Sequence, residues 1–180
     1  MNNIYLTGFM ASGKSTLGPI LANTIGFEFA DIDKEIEKKI DKKVIEIFKD
    51  YGEKYFRDLE KEIIKLFSER KNVVISLGGG ALNNGENLSI IKKSGILIFL
   101  NASPESIYQR LKFKKDRPAF LFEDFENPTK EMFLSKINAL FEARKKYYSQ
   151  ADLTFQTDNI SIGKTVDLIV KKLNSIHFIV

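Results

Sequence analysis

Eight residues near the start of the chain limit its possible folds more than any other feature. Residues 8–15, GFMASGKS, match the pattern Gly-x4-Gly-Lys-Ser/Thr, and they lie between a short apolar run, Ile4 to Thr7, and a helical pattern, Thr16 to Ile25. In such a strand–loop–helix unit, glycines let backbone N–H groups turn inward around phosphate oxygens, and the helix N-terminus adds positive potential. Lys14 can then reach the β- and γ-phosphates, and the Ser15 hydroxyl can bind Mg²⁺. The pattern predicts a nucleoside triphosphate site.

Short apolar runs alternate with helical patterns along the whole chain. The runs that we predict to be strands are Ile4 to Thr7, Phe27 to Ala30, Val73 to Ser76, Ile96 to Leu100 and Leu153 to Phe155. Between the second and third runs, Phe56, Leu59, Ile63 and Phe67 recur three or four residues apart, as on the buried stripe of a helix. Because a parallel crossover must return over a face of the sheet, the alternation predicts a three-layer α/β/α sandwich with a five-stranded parallel sheet.

Composition narrows the class of protein. A chain of 180 residues fits one domain, residues 1–180, and the lack of cysteine excludes a disulfide framework and a thiolate metal site. No apolar run approaches the ~18 residues of a membrane-spanning helix, and the N-terminus does not resemble a secretory signal. We therefore expect a cytoplasmic protein with no membrane partner. The net charge of +4 is spread along the chain, which suits a small anionic ligand and would also suit nucleic acid.

Residues 112–128 are the least regular part of the sequence. The segment from Lys112 to Pro128 contains Arg117-Pro118 and ends on Asn127-Pro128, and proline breaks helices. Long excursions in compact domains are often lids. We predict a lid here, and a plain surface loop is the alternative.

Carboxylates and glycines follow the second and third predicted strands. In extended residues Asp31 and Asp33 would project from the same face, so one could support a metal ion while the other meets a substrate hydroxyl. Alternatively, Asp33 caps the helix that begins near Lys34. The triple glycine Gly78-Gly79-Gly80 would let the backbone approach a ligand closely, or it is a flexible turn.

The chain contains 23 lysines and only five arginines, so the use of arginine rather than lysine at any position needs an explanation. A planar guanidinium binds carboxylate or phosphate through two hydrogen bonds, which an ammonium group cannot do. Four arginines occupy positions of interest, whereas Arg70, between Glu69 and Lys71, is typical of ordinary surface; the four are Arg57, Arg110, Arg117 and Arg144. Two arginines for an anionic substrate and two for ATP would be a coherent division, although any one of the four could be a solvated or salt-bridging side chain.

Two absences narrow the kind of nucleotide protein. The Asn-Lys-x-Asp motif, by which Ras-type GTPases recognise guanine, does not occur in the sequence. The apolar run Val73-Val74-Ile75 is followed by Ser76, whereas many ATPases have a metal-binding aspartate at the end of such a strand. Both absences argue against a Ras-type GTPase and against that kind of ATPase.

The order and spacing of several motifs make the interpretation specific. Along the chain these motifs are Gly8-x4-Gly13-Lys14-Ser15-Thr16, Asp31-x-Asp33, Glu46-Ile47-Phe48, Gly52-Glu53-x2-Phe56-Arg57-x2-Glu60, Gly78-Gly79-Gly80, Arg117-Pro118 and Arg144-x3-Tyr148. In this order they closely resemble shikimate kinase, over nearly the whole chain to about Asp158. The resemblance implies a fold like that of the nucleoside monophosphate kinases, and transfer of a phosphoryl group from ATP, with Mg²⁺, to the 3-hydroxyl of shikimate on the way to chorismate and the aromatic amino acids.

The resemblance also implies roles for individual residues. The catalytic residues would be Lys14, Asp33 and Arg117. ATP would be bound by Ala11, Ser12, Gly13, Lys14, Ser15, Thr16, Arg110 and Arg117. Shikimate would be bound by Asp33, Arg57, Gly79, Gly80 and Arg144, against an apolar wall of Phe48 and Phe56, with Glu60 orienting Arg57. Ser15 would bind Mg²⁺ directly and Asp31 would bind it through water.

The sequence departs from the family pattern at three places. The family often has glycine where Ala11 stands and prefers leucine where Ala119 follows Pro118, and the segment from Arg144 to Tyr148 lacks the usual proline. The alternatives that stay open are another small-metabolite kinase such as a gluconate kinase, a nucleotide-binding regulator without turnover, and a nucleic-acid binder. We expect a monomer whose partners are shikimate and ATP rather than nucleic acid.

Overall fold

The structure is a computed structural model that describes residues 3–112 and 129–178. Its five strands are β1 (Asn3–Thr7), β2 (Glu28–Asp31), β3 (Val73–Ser76), β4 (Gly95–Asn101) and β5 (Leu153–Gln156). They form one sheet in the order β2-β3-β1-β4-β5, and every neighbouring pair is parallel. The predicted five-stranded parallel sheet is therefore confirmed, and each predicted strand lies within one or two residues of the observed one.

Seven helices connect the described strands. They are α1 (Lys14–Ile25), α2 (Ile32–Ile40), α3 (Val44–Ser68), α4 (Gly85–Ser94), α5 (Pro104–Leu111), α6 (Lys130–Tyr148) and α7 (Ile162–Ser175). On one face of the sheet, α2, α3 and α4 pack over Tyr5, Ile75 and Leu97. On the other face, α1 and α7 pack over alternate residues of the same strands, such as Ile4 and Ile98. The predicted three-layer sandwich is confirmed.

Helix α3 carries the predicted buried stripe and one break. Its four stripe residues are buried: Phe56, Leu59, Ile63 and Phe67. At Gly52 the backbone has φ 81° and ψ 172°, which is not helical, so the helix is interrupted between residues 44–51 and 53–68. Glycine adopts this left-handed φ without the steric cost that a Cβ would impose. The break gives residues 53–68 their own direction, and that segment carries Arg57.

A smaller apolar cluster lies beyond the carboxyl ends of the strands. Phe9, from the loop after β1, packs with Ile107 and Leu111 of α5 and with Ile137 of α6. These two helices flank the predicted lid. Residues 113–128, including Arg117, lie outside the described residues, so the lid stays a prediction.

None of the helices in the described ranges has the length and apolarity that crossing a membrane requires.

Candidate active site

The loop between β1 and α1 has the tight geometry that its glycines allow. Gly8 and Gly13 have φ values of 151° and 111°. A Cβ on Gly8 would lie only 2.6 Å from the carbonyl oxygen of Leu100, so only glycine fits there. Ala11 also has a positive φ, 58°. A non-glycine residue in this region carries a steric cost of about 1–2 kcal/mol.

Lys14 and Ser15 of the phosphate loop already have partners, whereas the buried Oγ of Ser12 has none among the described residues. Lys14 Nζ donates hydrogen bonds to the carbonyl oxygens of Gly8 at 2.8 Å and Phe9 at 3.1 Å. Ser15 Oγ donates to Asp31 Oδ2 at 2.9 Å. The predicted metal residues Ser15 and Asp31 are thus brought together by a direct contact between the start of α1 and the end of β2.

A cleft with a volume of about 440 Å³ opens beside this loop. The residues that line it include all the predicted ATP-binding residues within the described part of the chain, namely Ala11, Ser12, Gly13, Lys14, Ser15, Thr16 and Arg110. Asp31, Asp33 and Gly79 also line it. The cleft lies where the carboxyl ends of parallel strands meet, which is the usual ligand site of an open α/β sheet.

Arg110 connects two parts of the nucleotide side of the cleft. Its Nη1 donates to the carbonyl oxygen of Ala11 and its Nη2 to that of Thr157, each at 2.9 Å. Thr157 is held in turn by a hydrogen bond from its backbone N–H to the carbonyl oxygen of Asn101. The segment after β5 is therefore fastened to the phosphate loop.

The two aspartates reach the cleft in a different way from that expected. Asp31 ends β2, but Asp33 lies in the first turn of α2, so strand alternation does not place them. The cap that we considered for Asp33 belongs to Asp31, whose Oδ1 accepts from the N–H of Lys34 at 3.4 Å. Asp33 is left facing the cleft. Burial, together with the negative charge of Asp31, raises the pKa of Asp33 to about 6.

The triple glycine forms a close-fitting surface for charged side chains. A Cβ on Gly78 would lie 2.6 Å from Glu60 Oε1 and 2.9 Å from Asp33 Oδ1, so these two carboxylates meet at one residue. The flexible-turn alternative does not account for contacts this close. Gly78 lets both acids approach the backbone.

The next two glycines face the two predicted substrate arginines. A Cβ on Gly79 would lie 3.1 Å from Arg144 Nη1, and a Cβ on Gly80 would lie 2.6 Å from Arg57 Nη2. Arg57 and Arg144 come from different helices, α3 and α6, yet they converge on adjacent residues. The predicted substrate residues of the described chain are therefore brought together.

Arg57 is held by two carboxylates. Its Nη1 donates to Glu60 Oε2 at 2.8 Å, and its Nε and Nη2 donate to Glu53 Oε1 at 3.2 and 3.1 Å. Glu60 is 1% exposed, and burial raises its pKa to about 7 although the positive charge of Arg57 opposes the rise. Glu53 is a residue for which the motifs predicted no role; its spacing of four residues from Arg57 on a helix was the available signal.

Arg144 is held differently. Its guanidinium lies over the ring of Phe9, 5.5 Å from the centroid, and its buried Nη1 has no hydrogen-bond partner among the described residues. A buried donor without a partner is costly, so this atom is suited to an anionic ligand.

The remaining predicted residues lie near the substrate side or at the surface. Phe48 and Phe56 pack against each other with centroids 4.6 Å apart, and the Arg57 guanidinium lies 5.3 Å from the Phe56 ring. Arg70 is half exposed and pairs with Glu28 at 2.9 Å, as expected for an ordinary surface arginine.

The chain matches known proteins over most of its length. A family model described as shikimate kinase matches residues 10–174. The shikimate kinase of Chlorobium phaeobacteroides is 43% identical over 170 residues, which cover 94% of this chain and 85% of that protein. The shikimate kinase of Persephonella marina is 43% identical over 96% of this chain and 99% of that protein.

Solved structures of shikimate kinases also match this chain over most of its length. The shikimate kinase of Acinetobacter baumannii, solved in complex with shikimate, is 32% identical and superposes with a TM-score of 0.87 over 97% of this chain and 94% of that one. The Bacteroides thetaiotaomicron enzyme is 33% identical, with a TM-score of 0.85 over 96% of this chain and 98% of that one. On these matches, the chain belongs to the shikimate kinase family.

Proposed function

We propose that this protein transfers the γ-phosphoryl group of ATP to the 3-hydroxyl of shikimate, giving shikimate 3-phosphate and ADP for the synthesis of chorismate and the aromatic amino acids. The observation that carries the proposal is the convergence of Arg57 and Arg144 on the adjacent residues Gly80 and Gly79, because Gly79 also lines the cleft that contains the phosphate loop. A pair of guanidinium groups is suited to a carboxylate, and a phosphate loop is suited to ATP.

The carboxylate of shikimate would lie between the two arginines. Arg57 offers a fork that Glu53 and Glu60 hold in place, and Arg144 offers an unpartnered buried Nη1. With its carboxylate fixed there, the acceptor would present its hydroxyls to Asp33. Holding donor and acceptor in line is most of what phosphoryl transfer requires of the protein.

Asp33 is the proposed base. The oxygen of the 3-hydroxyl would form a bond to the γ-phosphorus, the bond from that phosphorus to the β–γ bridging oxygen would break, and the hydroxyl proton would pass to the carboxylate. A pKa of about 6 leaves Asp33 mostly ionised at neutral pH and still basic enough to accept the proton.

Lys14 and Arg117 are the proposed stabilisers of the charge that spreads over the γ-phosphoryl oxygens. Lys14 bonds to loop carbonyls in the absence of nucleotide and would turn toward the β- and γ-phosphates. Arg117 lies outside the described residues, and its role rests on the family resemblance. Arg110 would contact the nucleotide from the side of the cleft formed with Thr157.

Ser15 and Asp31 fit a magnesium ion. Both offer oxygen atoms, their side chains are in contact, and both line the cleft beside the phosphate loop. Mg²⁺ is commonly held by one or two protein oxygens together with phosphates and water. When bound, the ion would neutralise phosphate charge; Ser15 would hold it directly and Asp31 through water.

We further propose that the protein is a cytoplasmic monomer that acts on shikimate and ATP.

A coupled assay of ADP formation with ATP, Mg²⁺ and a panel of hydroxylated acids tests the function. We expect shikimate to stimulate ADP formation and gluconate to leave it at the rate without acceptor. Stimulation by gluconate alone would indicate a different small-metabolite kinase, and no stimulation by any acceptor would indicate a nucleotide-binding regulator.

A further inference from the structure

Tyr148 is the last residue of α6, one turn beyond Arg144, so the two side chains lie on the same face of the helix. It is 4% exposed. Its ring stacks on Phe99 of β4, with centroids 4.6 Å apart and planes 12° apart, and lies 5.8 Å from the ring of Phe141. These contacts fix the ring, and the hydroxyl is consequently buried as well.

Two buried polar atoms on this face have no hydrogen-bond partner among the described residues. They are Tyr148 Oη and Arg144 Nη1. A buried polar atom without a partner has lost its hydrogen bonds to water and gained none in exchange. Phenylalanine would make the same ring contacts without that cost, so packing alone does not explain a tyrosine at this position.

Arg144 is a neighbour of this hydroxyl. Burial raises the pKa of Tyr148, while the positive charge and the hydrogen-bonding groups of Arg144 act in the opposite direction. The two groups do not meet as an aligned hydrogen bond, since Tyr148 Oη has no partner among the described residues. Hydrogen bonds of an active site are often misaligned without ligand and become aligned when substrate binds.

The two substrate arginines differ in what holds them. Arg57 pairs with Glu53 and Glu60, whereas Arg144 has no ion pair with a described residue. A guanidinium that must bind a carboxylate still needs to be oriented, because each free rotation lowers the affinity. A neutral hydroxyl can orient it without cancelling its charge.

We propose that Tyr148 is a positioning residue for Arg144: its hydroxyl accepts a hydrogen bond from the guanidinium and holds Nη1 toward the substrate carboxylate beside Gly79. This inference rests on the proposed function, in which Arg144 binds that carboxylate. Tyr148 itself does not touch shikimate, and its effect passes through Arg144.

The substitution Tyr148→Phe tests the inference because it removes only the hydroxyl and keeps the ring stacked on Phe99. We expect the KM for shikimate, and the Kd for shikimate measured by calorimetry without nucleotide, to rise about tenfold, as for loss of one hydrogen bond to a charged group. The KM for ATP should stay unchanged, and the Tm should not fall, because the ring contacts are kept and an unpartnered buried hydroxyl is removed. Tyr147→Phe is the matched control, since Tyr147 is the adjacent residue of α6 and its ring lies beside Lys146; it should leave both KM values unchanged.

A double-mutant cycle with Arg144→Lys separates the inference from the proposed function. We expect Tyr148→Phe to have no further effect on the KM for shikimate when residue 144 is lysine. An unchanged KM for shikimate in Tyr148→Phe would overturn the inference, as would an equal effect in the Arg144→Lys background. A fall in Tm with both KM values raised would also overturn it, because that result indicates a structural role. If Arg144→Lys alone left shikimate binding intact, the proposed role of Arg144 would fail instead.

Discussion

The phosphate side of the site, formed by the loop of residues 8–15, and the acid side, formed by Asp33, Arg57, Arg144 and the triple glycine, are built differently. On the phosphate side one continuous loop, shaped by the positive φ of Gly8 and Gly13, carries the side chains of Lys14 and Ser15, which are hydrogen-bonded within the protein, and the buried Oγ of Ser12, which has no partner among the described residues. On the acid side the ligand groups are side chains from α2, α3 and α6, and two buried polar atoms there, Glu60 Oε1 and Arg144 Nη1, have no partner among the described residues. The phosphate side therefore depends on a local loop, whereas the acid side depends on charged side chains that three helices bring together. Affinity for nucleotide and specificity for the acceptor therefore depend on different residues, which substitutions can separate.

The largest expected effect falls on the phosphate side. Lys14→Ala removes the cation nearest the transferring phosphoryl group, so kcat should fall by at least about 100-fold, while the Kd for shikimate measured without nucleotide should stay the same. Steady-state kinetics measures kcat, and calorimetry measures the Kd for shikimate. Lys54→Ala, at an exposed position that pairs only with Asp58, is the control. Turnover near that of the unsubstituted protein would refute the role of Lys14.

A glycine substitution should disturb only the acid side. In Gly80→Ala the new Cβ would lie 2.6 Å from Arg57 Nη2, and since Glu53 and Glu60 hold that arginine, the guanidinium would be displaced from the substrate position. We expect the KM for shikimate to rise by about 30-fold, a loss on the scale of one charge-assisted hydrogen bond, with the KM for ATP unchanged.

Gly85→Ala is the matched control because a Cβ there has no atom within 4 Å. If the KM for ATP changed in Gly80→Ala as much as the KM for shikimate, the two sides of the cleft would not be separable in the way we describe.

Arg57→Lys should have a smaller effect on the same side. The charge is kept but the planar fork is lost, so the KM for shikimate should rise about tenfold. Arg70→Lys, at the surface pair with Glu28, should change nothing. An unchanged KM in Arg57→Lys would show that the site needs only a positive charge there.

The smallest expected effect concerns pH and stability. The pKa of Glu60 is about 7 in the folded protein and 4.5 for an unperturbed glutamate, because burial disfavours its ionised form. Glu60 therefore favours the folded state most below pH 4.5, and this contribution is lost as the pH rises through 7. Glu60→Gln removes the titration, so the fall in Tm between pH 5 and pH 8 should be smaller by about 5–10 °C. Thermal unfolding at several pH values measures the change in Tm with pH in both proteins. If the Tm changed equally with pH in Glu60→Gln and in the unsubstituted protein, the raised pKa of Glu60 would be contradicted.

The sequence predicted the sheet and the phosphate side well because their signals are local. A strand is recognisable from its own apolar residues, and the phosphate loop is one continuous motif whose glycine positions are dictated by backbone geometry. The prediction that Asp33 faces the cleft was based on strand alternation, which does not apply, since α2 begins directly after Asp31. Asp31, rather than Asp33, caps the helix.

The acid side could not be derived from local patterns. Arg57 and Arg144 are far apart in sequence and meet only because α3 and α6 pack around the triple glycine. Their scarcity among lysines identified them as candidates, and the family resemblance assigned them to one ligand. Glu53 and Tyr148, which contact or neighbour these arginines, became apparent only from the packing.

A crystal structure with shikimate and a non-hydrolysable ATP analogue tests the central claim most directly. Our account predicts the shikimate carboxylate within hydrogen-bond distance of both Arg57 and Arg144, and the 3-hydroxyl between Asp33 and the γ-phosphate held by Lys14. A carboxylate bound away from either arginine, or a 3-hydroxyl directed away from the γ-phosphate, would contradict it.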